Sequence, residues 1–411
     1  MGYQIGIYIY GFLMKLAALF NEKAALFVKG RKGLLEKLKT DFDSKDKNVA
    51  WFHCASLGEF EQGRPVIEKF RRESPEHLVL LTFFSPSGYE IRKNYDGVDY
   101  VCYLPLDTPA NVRKFIQLVN PSIAFFVKYE FWPNYLKILH ERQVPVISFS
   151  TIFRKEQAFF KWYGGPYRGV LKFFDHFFIQ NQSSASLLDE LNLKNYTLSG
   201  DTRFDRVAAI ASNPKPLLDI AAFRGSSKCM VIGSSWKEDM EVLLPLINDP
   251  SNTMKYIIVP HEIEEKAILK LQESIEADSG RYSQWTEDMA DSQVLIIDSI
   301  GLLSSIYQFA DIAYIGGAFG KGLHNTLEAV IYEIPVLFGN KKYSKFQEAN
   351  DLIAAGAAWP VGSSRELKEK ISAYLGNPGL KEKTQKAIRD YIEANLGATD
   401  QIINYSKNLL S

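Results

Sequence analysis

The sequence predicts an α/β protein made of two doubly wound domains in series. Three observations lead there. A chain of 411 residues exceeds what one hydrophobic core usually organises, and two halves of about 200 residues are the natural division. From residue 49 onward, short continuous apolar runs alternate with amphipathic stretches of helix length, the pattern of parallel sheets covered on both faces. A polar stretch at 206–226, interrupted by Pro214 and Pro216, separates one such series from the next.

The first element is the apolar, aromatic segment 3–20, YQIGIYIYGFLMKLAALF, broken by Gln4 and Lys15. A membrane-spanning helix takes about 20 predominantly apolar residues, and no small-residue cleavage site follows. Next comes KGRKGLLEKLK at 29–39, five basic residues against one acidic. An apolar segment beside a basic cluster reads as an anchor in or on an anionic leaflet, its positive side cytoplasmic. A first helix packed on the protein's own core fits the same residues. The segment 1–22 is therefore set apart, with domains expected at 23–205 and 206–411.

Strands of the first domain are expected at 49–54, 78–84, 99–103, 122–127, 144–149, 175–179 and 196–199. Those of the second are expected at 229–233, 255–259, 293–297, 311–315 and 335–338. Two such sets give two Rossmann-like domains, with ligands at the strand C-termini. Residues 380–408 read as helical.

Composition removes several function classes. Lys+Arg and Asp+Glu both number 48, so no global basic field exists and nucleic acid is not an expected partner. Cys54, Cys102 and Cys229 are far apart and form no CxxC, which suits a reducing compartment and small core residues. The six histidines include no HExxH or paired-ligand spacing, so no metal is expected.

The stretch 309–339 reads as a sugar-nucleotide cradle. An apolar run, Ile312 to Ile315, feeds Gly316-Gly317, then Gly320 and Gly322, then His324-Asn325-Thr326, with Glu328 in the first turn of a helical pattern. Glycines let backbone approach a phosphate, and helix N-terminal N–H groups favour an anion. A carboxylate one turn in can accept bonds from the hydroxyls of a ribose. The spacing matches neither G-x-G-x-x-G nor the Walker pattern. An ordinary glycine-rich βα turn with a capping Asn325 fits the same residues.

Six strings, in order, resemble the Kdo transferases of Gram-negative lipopolysaccharide assembly: HCASLGEFEQGRPVI (53–67), YEFWPNY (129–135), GDTRFDRV (200–207), GSSWKED (233–239), VPHEIE (259–264) and GGAFGKGLHNTLEA (316–329). The resemblance runs from the apolar N-terminus to about Gly397. It implies a GT-B fold, two Rossmann-like domains facing a cleft, with a short N-terminal membrane-associating helix and a last helix that commonly crosses back to the first domain. It also implies inverting transfer of 3-deoxy-D-manno-octulosonic acid (Kdo) from CMP-Kdo to a lipid A precursor (lipid IVA). It implies a site at the cytoplasmic face of the inner membrane and no cofactor, with no divalent ion needed if helix N-termini and basic side chains stabilise the CMP phosphate.

Glu59 and Glu130 both follow expected strands. Locally, Ser56 and Glu59 make an S-x-x-E capping box. In the resembling loop this glutamate is the proposed general base, with Ser56 and Gly58 beside the substrate. Glu130 either joins the reaction or pairs with Lys128 or Arg154. Arg203, Lys237 and His261 are cations or donors for the CMP phosphate and the Kdo carboxylate, arginine through its bidentate fork. Ser234 and Ser235 offer hydroxyls and N–H groups to the phosphate, while Ser235 with Glu238 fits a second capping box equally well. The family's Pro-Arg-His string is Val259-Pro260-His261 here, so Pro260 and His261 carry over and the arginine does not. Its Met-Gly-Glu-like turn is Ile300-Gly301-Leu302, where Leu302 replaces a carboxylate and only backbone contacts carry over. The glycine-rich stretch supplies Gly317, His324, Asn325, Thr326, Leu327 and Glu328.

Residues 153–174 interleave Arg154, Lys155, Lys161, Arg168 and Lys172 with aromatics at 159, 160, 162, 163, 167, 173 and 174. They fit a phosphorylated lipid, with cations for its phosphates and aromatics at the interface, or an amphipathic helix pair half-buried on the sheet. Two other functions compete: a GT-B enzyme using a UDP-sugar, as transferase or epimerase, and a non-catalytic nucleotide-sugar-binding membrane protein. Retention of both Glu59 and Glu130 counts against the latter.

Overall fold

A computed structural model describes residues 2–410; Met1 and Ser411, the ends of the expected first and last segments, lie outside the described residues. The chain forms two units, one running to Asp205 and joined by the residues from Asn395 on, the other Arg206–Ala394. The division falls inside the helix Arg203–Ser212.

The first unit is built on strands β1 (Val49–Cys54), β2 (Leu78–Phe83), β3 (Tyr100–Tyr103), β4 (Ile123–Val127), β5 (Val146–Thr151), β6 (His176–Ile179) and β7 (Tyr196–Leu198). They pair in the order β3-β2-β1-β4-β5-β6-β7, all parallel. Every residue of β1 is buried, as a strand covered on both faces requires. Trp51 packs with Phe115, Phe126 and Tyr135 on one face, while Ala50, Phe52 and Cys54 join Phe60, Phe70 and Phe125 on the other. The last helix, Ala398–Leu410, completes that second face through Ile402 and Ile403. Its start is fixed by Asp205, whose carboxylate accepts from Gly397 N and Thr399 N at 2.7 Å each.

The second unit is built on β8 (Cys229–Ser235), β9 (Lys255–Pro260), β10 (Ser279–Arg281), β11 (Val294–Ile296), β12 (Ile312–Ile315), β13 (Val336–Gly339) and β14 (Ala358–Val361). Their order is β10-β11-β9-β8-β12-β13-β14, again parallel throughout. The strands β10 and β14 were not expected. Both are sheet edges: Ser-Gly-Arg has no apolar run, and Pro360, which cannot donate to a ladder, is tolerated only at such a position.

Strand order reverses direction between β1 and β4 in one sheet and between β8 and β12 in the other. Ligands of open α/β sheets bind at the C-terminal ends of strands flanking such a reversal. Topology alone thus points to the segments after Cys54, Val127, Ser235 and Ile315.

The N-terminal helix Gly2–Ala17 buries only Ile7. Ile5, Tyr8, Ile9, Phe12, Leu13 and Leu16 are exposed, followed by Leu19 and Phe20. It is held by Tyr3, whose hydroxyl donates to Asp107 at 2.7 Å, and by Tyr10 against Phe27 and Phe84. One edge of the helix therefore packs on the protein, while most of its apolar residues stay exposed. Among the described residues no helix is long and apolar enough to cross a membrane. One member of the expected basic cluster needs correction. Arg31 lies over the Phe27 ring and donates to the carbonyls of Leu104, Phe27 and Phe84, so its guanidinium is spent inside the protein. Lys29 and Lys32 are exposed.

Candidate active site

In the first unit, β1 leads through Ala55 and Ser56 into the helix Leu57–Glu73. Ser56 has the extended N-cap backbone, φ −142°, but its side chain makes no cap bond. Its hydroxyl donates instead to Glu59 Oε2. The S-x-x-E capping box does not form, and Glu59 is half-buried in the helix's first turn. A Cβ at Gly58 would meet only Ser56 Oγ at 3.7 Å, so internal packing does not demand a glycine there.

Glu130 follows β4, with its side chain 11% exposed. Its Oε2 accepts from Trp132 Nε1 at 2.7 Å and lies 3.1 Å from His53 Nε2. The pairing with Lys128 or Arg154 that the sequence left open is not among its contacts; Arg154 sits over the Tyr129 ring. Burial pushes the Cys54 thiol well up, and both Glu59 and Glu130 add to that shift, so the two carboxylates surround the end of β1. Burial also raises the Tyr129 hydroxyl, which has no hydrogen-bond partner and feels the charges of Arg154, Glu59, Asp201 and Arg203.

Arg203 is fixed by Asp201, which accepts from its backbone N and Nε at 2.9 Å each and from Nη2 at 2.8 Å. Burial alone would raise the Asp201 carboxyl, but the Arg203 charge and bonds, with Gln62, hold it below the usual range. Of the basic-aromatic stretch, Phe159 and Phe174 are in the core while Trp162, Tyr163 and Tyr167 are exposed.

In the second unit, β8 ends in Ser234, held at φ +53°, and Ser235, whose buried hydroxyl has no hydrogen-bond partner. The Ser235–Glu238 box does not form. Asp239, fully buried, accepts from Trp236 N at 2.9 Å, from Gly317 N at 2.8 Å and from the Tyr314 hydroxyl at 3.0 Å. One carboxylate thereby ties the helix Lys237–Ile247 to the glycine-rich turn. Gly316 lets that turn close, since a Cβ there would stand 2.2 Å from Ser234 O.

Three rings cross the site. Trp236 stacks on His261 at 4.2 Å, His261 lies 4.8 Å from His324, and Trp236 Nε1 donates to His324 Nε2 at 2.9 Å. Burial, with His261 nearby, pushes His324 down to about 4, so it is neutral at physiological pH and its Nδ1–H is a donor. Lys237, exposed at the first helical position, puts a cation where the helix dipole favours an anion. Glu328 accepts from Ser304 Oγ at 2.6 Å and Asn325 Nδ2 at 3.0 Å. The hydroxyl of Thr326 is buried without a hydrogen-bond partner, and Ile300-Gly301-Leu302 turns beside Ser304 with Gly301 at φ +83°.

The expected residues thus gather into two groups. Ser56, Gly58, Glu59, Glu130 and Arg203 lie in the first unit; Ser234, Ser235, Lys237, Pro260, His261, residues 300–302 and the run from Gly317 to Glu328 lie in the second. Two expectations change. The Leu327 side chain is buried in the core and its N–H donates to Asn325 Oδ1, leaving it no contact group for a ligand. The Gly317 N–H is committed to Asp239, so Gly317 supplies room and a φ of +93° rather than a donor. His53, Asp239, Trp236 and Ser304 went unassigned. A histidine in the apolar run VAWFHC and an acid three residues past a helix start were the available signals.

A profile of the family described as 3-deoxy-D-manno-octulosonic-acid transferase (kdotransferase) matches residues 28–206. The 3-deoxy-D-manno-octulosonic acid transferase of Aquifex aeolicus is 27% identical over 335 residues, covering 80% of this chain and 86% of its own. That of Chlamydophila psittaci is also 27% identical, covering 80% and 78%. Over most of its length the chain is similar to Kdo transferases. A UDP-GlcNAc 2-epimerase from Neisseria meningitidis, solved with UDP-GlcNAc bound, superposes with a TM-score of 0.60 at 15% identity, covering 87% of this chain and 98% of that one. At that identity it shows the shared GT-B-like fold alone. The protein is a glycosyltransferase, and its geometry places carboxylates at one switch point, and donors, a cation and a neutral imidazole at the other.

Proposed function

We propose that the protein transfers Kdo from CMP-Kdo to a lipid A precursor with inversion, using Glu59 as general base. The observation that supports this best is the state of Glu59. It stands at the end of β1, held by the Ser56 hydroxyl and not used as a helix cap. Glu59 takes the proton of an acceptor hydroxyl as that oxygen bonds to the anomeric carbon of Kdo and the bond to the CMP phosphate breaks. Lys237, His261 and the Nδ1–H of His324 offset the charge growing on departing CMP. Glu328 receives ribose hydroxyls, and Arg203 suits the Kdo carboxylate.

The site of action is the cytoplasmic face of the inner membrane, with the helix Gly2–Ala17 lying in the interface. Its exposed apolar residues favour that placement, with Lys29 and Lys32 facing anionic headgroups. Purified protein incubated with CMP-Kdo and tetra-acylated lipid A precursor should yield products heavier by whole Kdo units in mass spectrometry. Product from a UDP-sugar and none from CMP-Kdo would reverse the donor assignment.

A further inference from the structure

Strand β1 carries one titratable polar side chain among apolar ones, His53. The ring is fully buried and boxed by Trp51, Phe126 and Trp132. Its Nδ1 lies 2.9 Å from Thr82 Oγ1 and its Nε2 3.1 Å from Glu130 Oε2. The neighbours decide which nitrogen holds the proton. Trp51 Nε1–H can only donate, and at 2.8 Å it fills one lone pair of Thr82 Oγ1. The Thr82 proton then has two acceptors, the Phe52 carbonyl at 3.3 Å and His53 Nδ1 at 2.9 Å. The shorter contact is to the ring. With Nδ1 accepting, the ring proton sits on Nε2 and is donated to Glu130 Oε2, which also accepts from Trp132 Nε1. Two N–H donors on one oxygen fix the plane of the carboxylate. They leave Oε1, which has no hydrogen bond among the described residues, as the oxygen for a ligand.

We propose that His53 is a positioning residue for the transfer reaction: Thr82 holds it as the neutral Nε2–H tautomer, and it fixes Glu130 so that Oε1 accepts from a sugar hydroxyl. This rests on the reading of Glu130 as part of the transfer site. A histidine that merely filled a core position would affect stability and leave the rate per folded molecule alone.

The test uses the full chain with CMP-Kdo and tetra-acylated lipid A precursor. His53→Leu keeps bulk and removes the donor; His53→Gln keeps an amide N–H within reach of Glu130. The expected result is a fall in kcat of about ten- to a hundred-fold in His53→Leu, the scale of a lost hydrogen bond to a charged group, with CMP affinity unchanged. His53→Gln should recover most of the loss. Nitrogen-15 spectra of the wild type, with the His53 signal assigned by its absence in His53→Gln, should show a single protonated ring nitrogen, Nε2. Wild-type turnover in His53→Leu, a glutamine variant no better than leucine, or a ring protonated at Nδ1 or at both nitrogens overturns the proposal. Should His53→Leu not fold, the spectrum and the glutamine kinetics still decide. A wild type that transfers no Kdo overturns the function and this role with it, while an active wild type with an indifferent His53 overturns this role alone.

Discussion

Glu328, proposed to receive ribose hydroxyls, is held from two sides by Ser304 and Asn325, with the Arg206 charge nearby. Glu328→Ala should weaken CMP binding by one to two decades, since a hydrogen bond to a charged group is worth about 1.5–3 kcal/mol. Calorimetry with CMP checks this, and unchanged affinity would remove Glu328 from the donor site. His324 makes a second prediction. Its folded pKa of about 4 lies below the ordinary histidine value, so the stability it contributes is present above about pH 6.5 and is lost as pH falls toward 4. His324→Gln, which still accepts from Trp236, should flatten the fall of melting temperature across that window; an unaltered slope would assign the acid lability elsewhere. That Glu59, Glu130 and His324 follow buried strands was legible from the apolar runs before them, while the role of Glu59 came from the resemblance, since its spacing from Ser56 fits a cap equally well. His53 and Asp239 were not legible, because their roles come from partners 29 to 78 residues away, Thr82, Glu130 and Gly317, which only the sheet brings near. Leu327 misled because its place in the motif says nothing about which way its side chain turns.

At the scale of elements, the strands that carry both sites were readable, because buried parallel strands are continuous apolar runs. The edges β10 and β14 escaped because an edge strand needs no such run. The N-terminal helix was legible as apolar but not as to its neighbours, and Arg31 was misread because a basic residue in sequence looks the same whether it faces lipid or three carbonyls. Deleting residues 1–20 should release the protein from vesicles of anionic lipid while leaving its unfolding transition in place, since the removed helix buries only Ile7. A deleted protein that still pellets with those vesicles would contradict the anchor. High salt should weaken the part of binding owed to Lys29 and Lys32, whose exposed charges are screened.

For the whole molecule, the two-part organisation followed from length and from the repeated alternation. The destination of the last helix, in the first unit, was expected from the resemblance alone, because Ile402 and Ile403 show an apolar face without showing what covers it. Removing residues 395–411 should destabilise the first unit, which loses those two core residues and the partners of Asp205, Lys69 and Glu73. Differential scanning calorimetry checks this, and an unshifted transition would contradict the assignment of that helix. Kdo transfer with Glu59 as base is tested most directly by the turnover of Glu59→Gln on CMP-Kdo and lipid A precursor. Glutamine keeps the shape and the bond from Ser56 but cannot take a proton. A catalytic Glu59 gives a kcat about 10²–10⁴-fold below wild type, with CMP affinity and melting temperature near wild type. Turnover within a few-fold of wild type would contradict the base assignment and pass the role to Glu130.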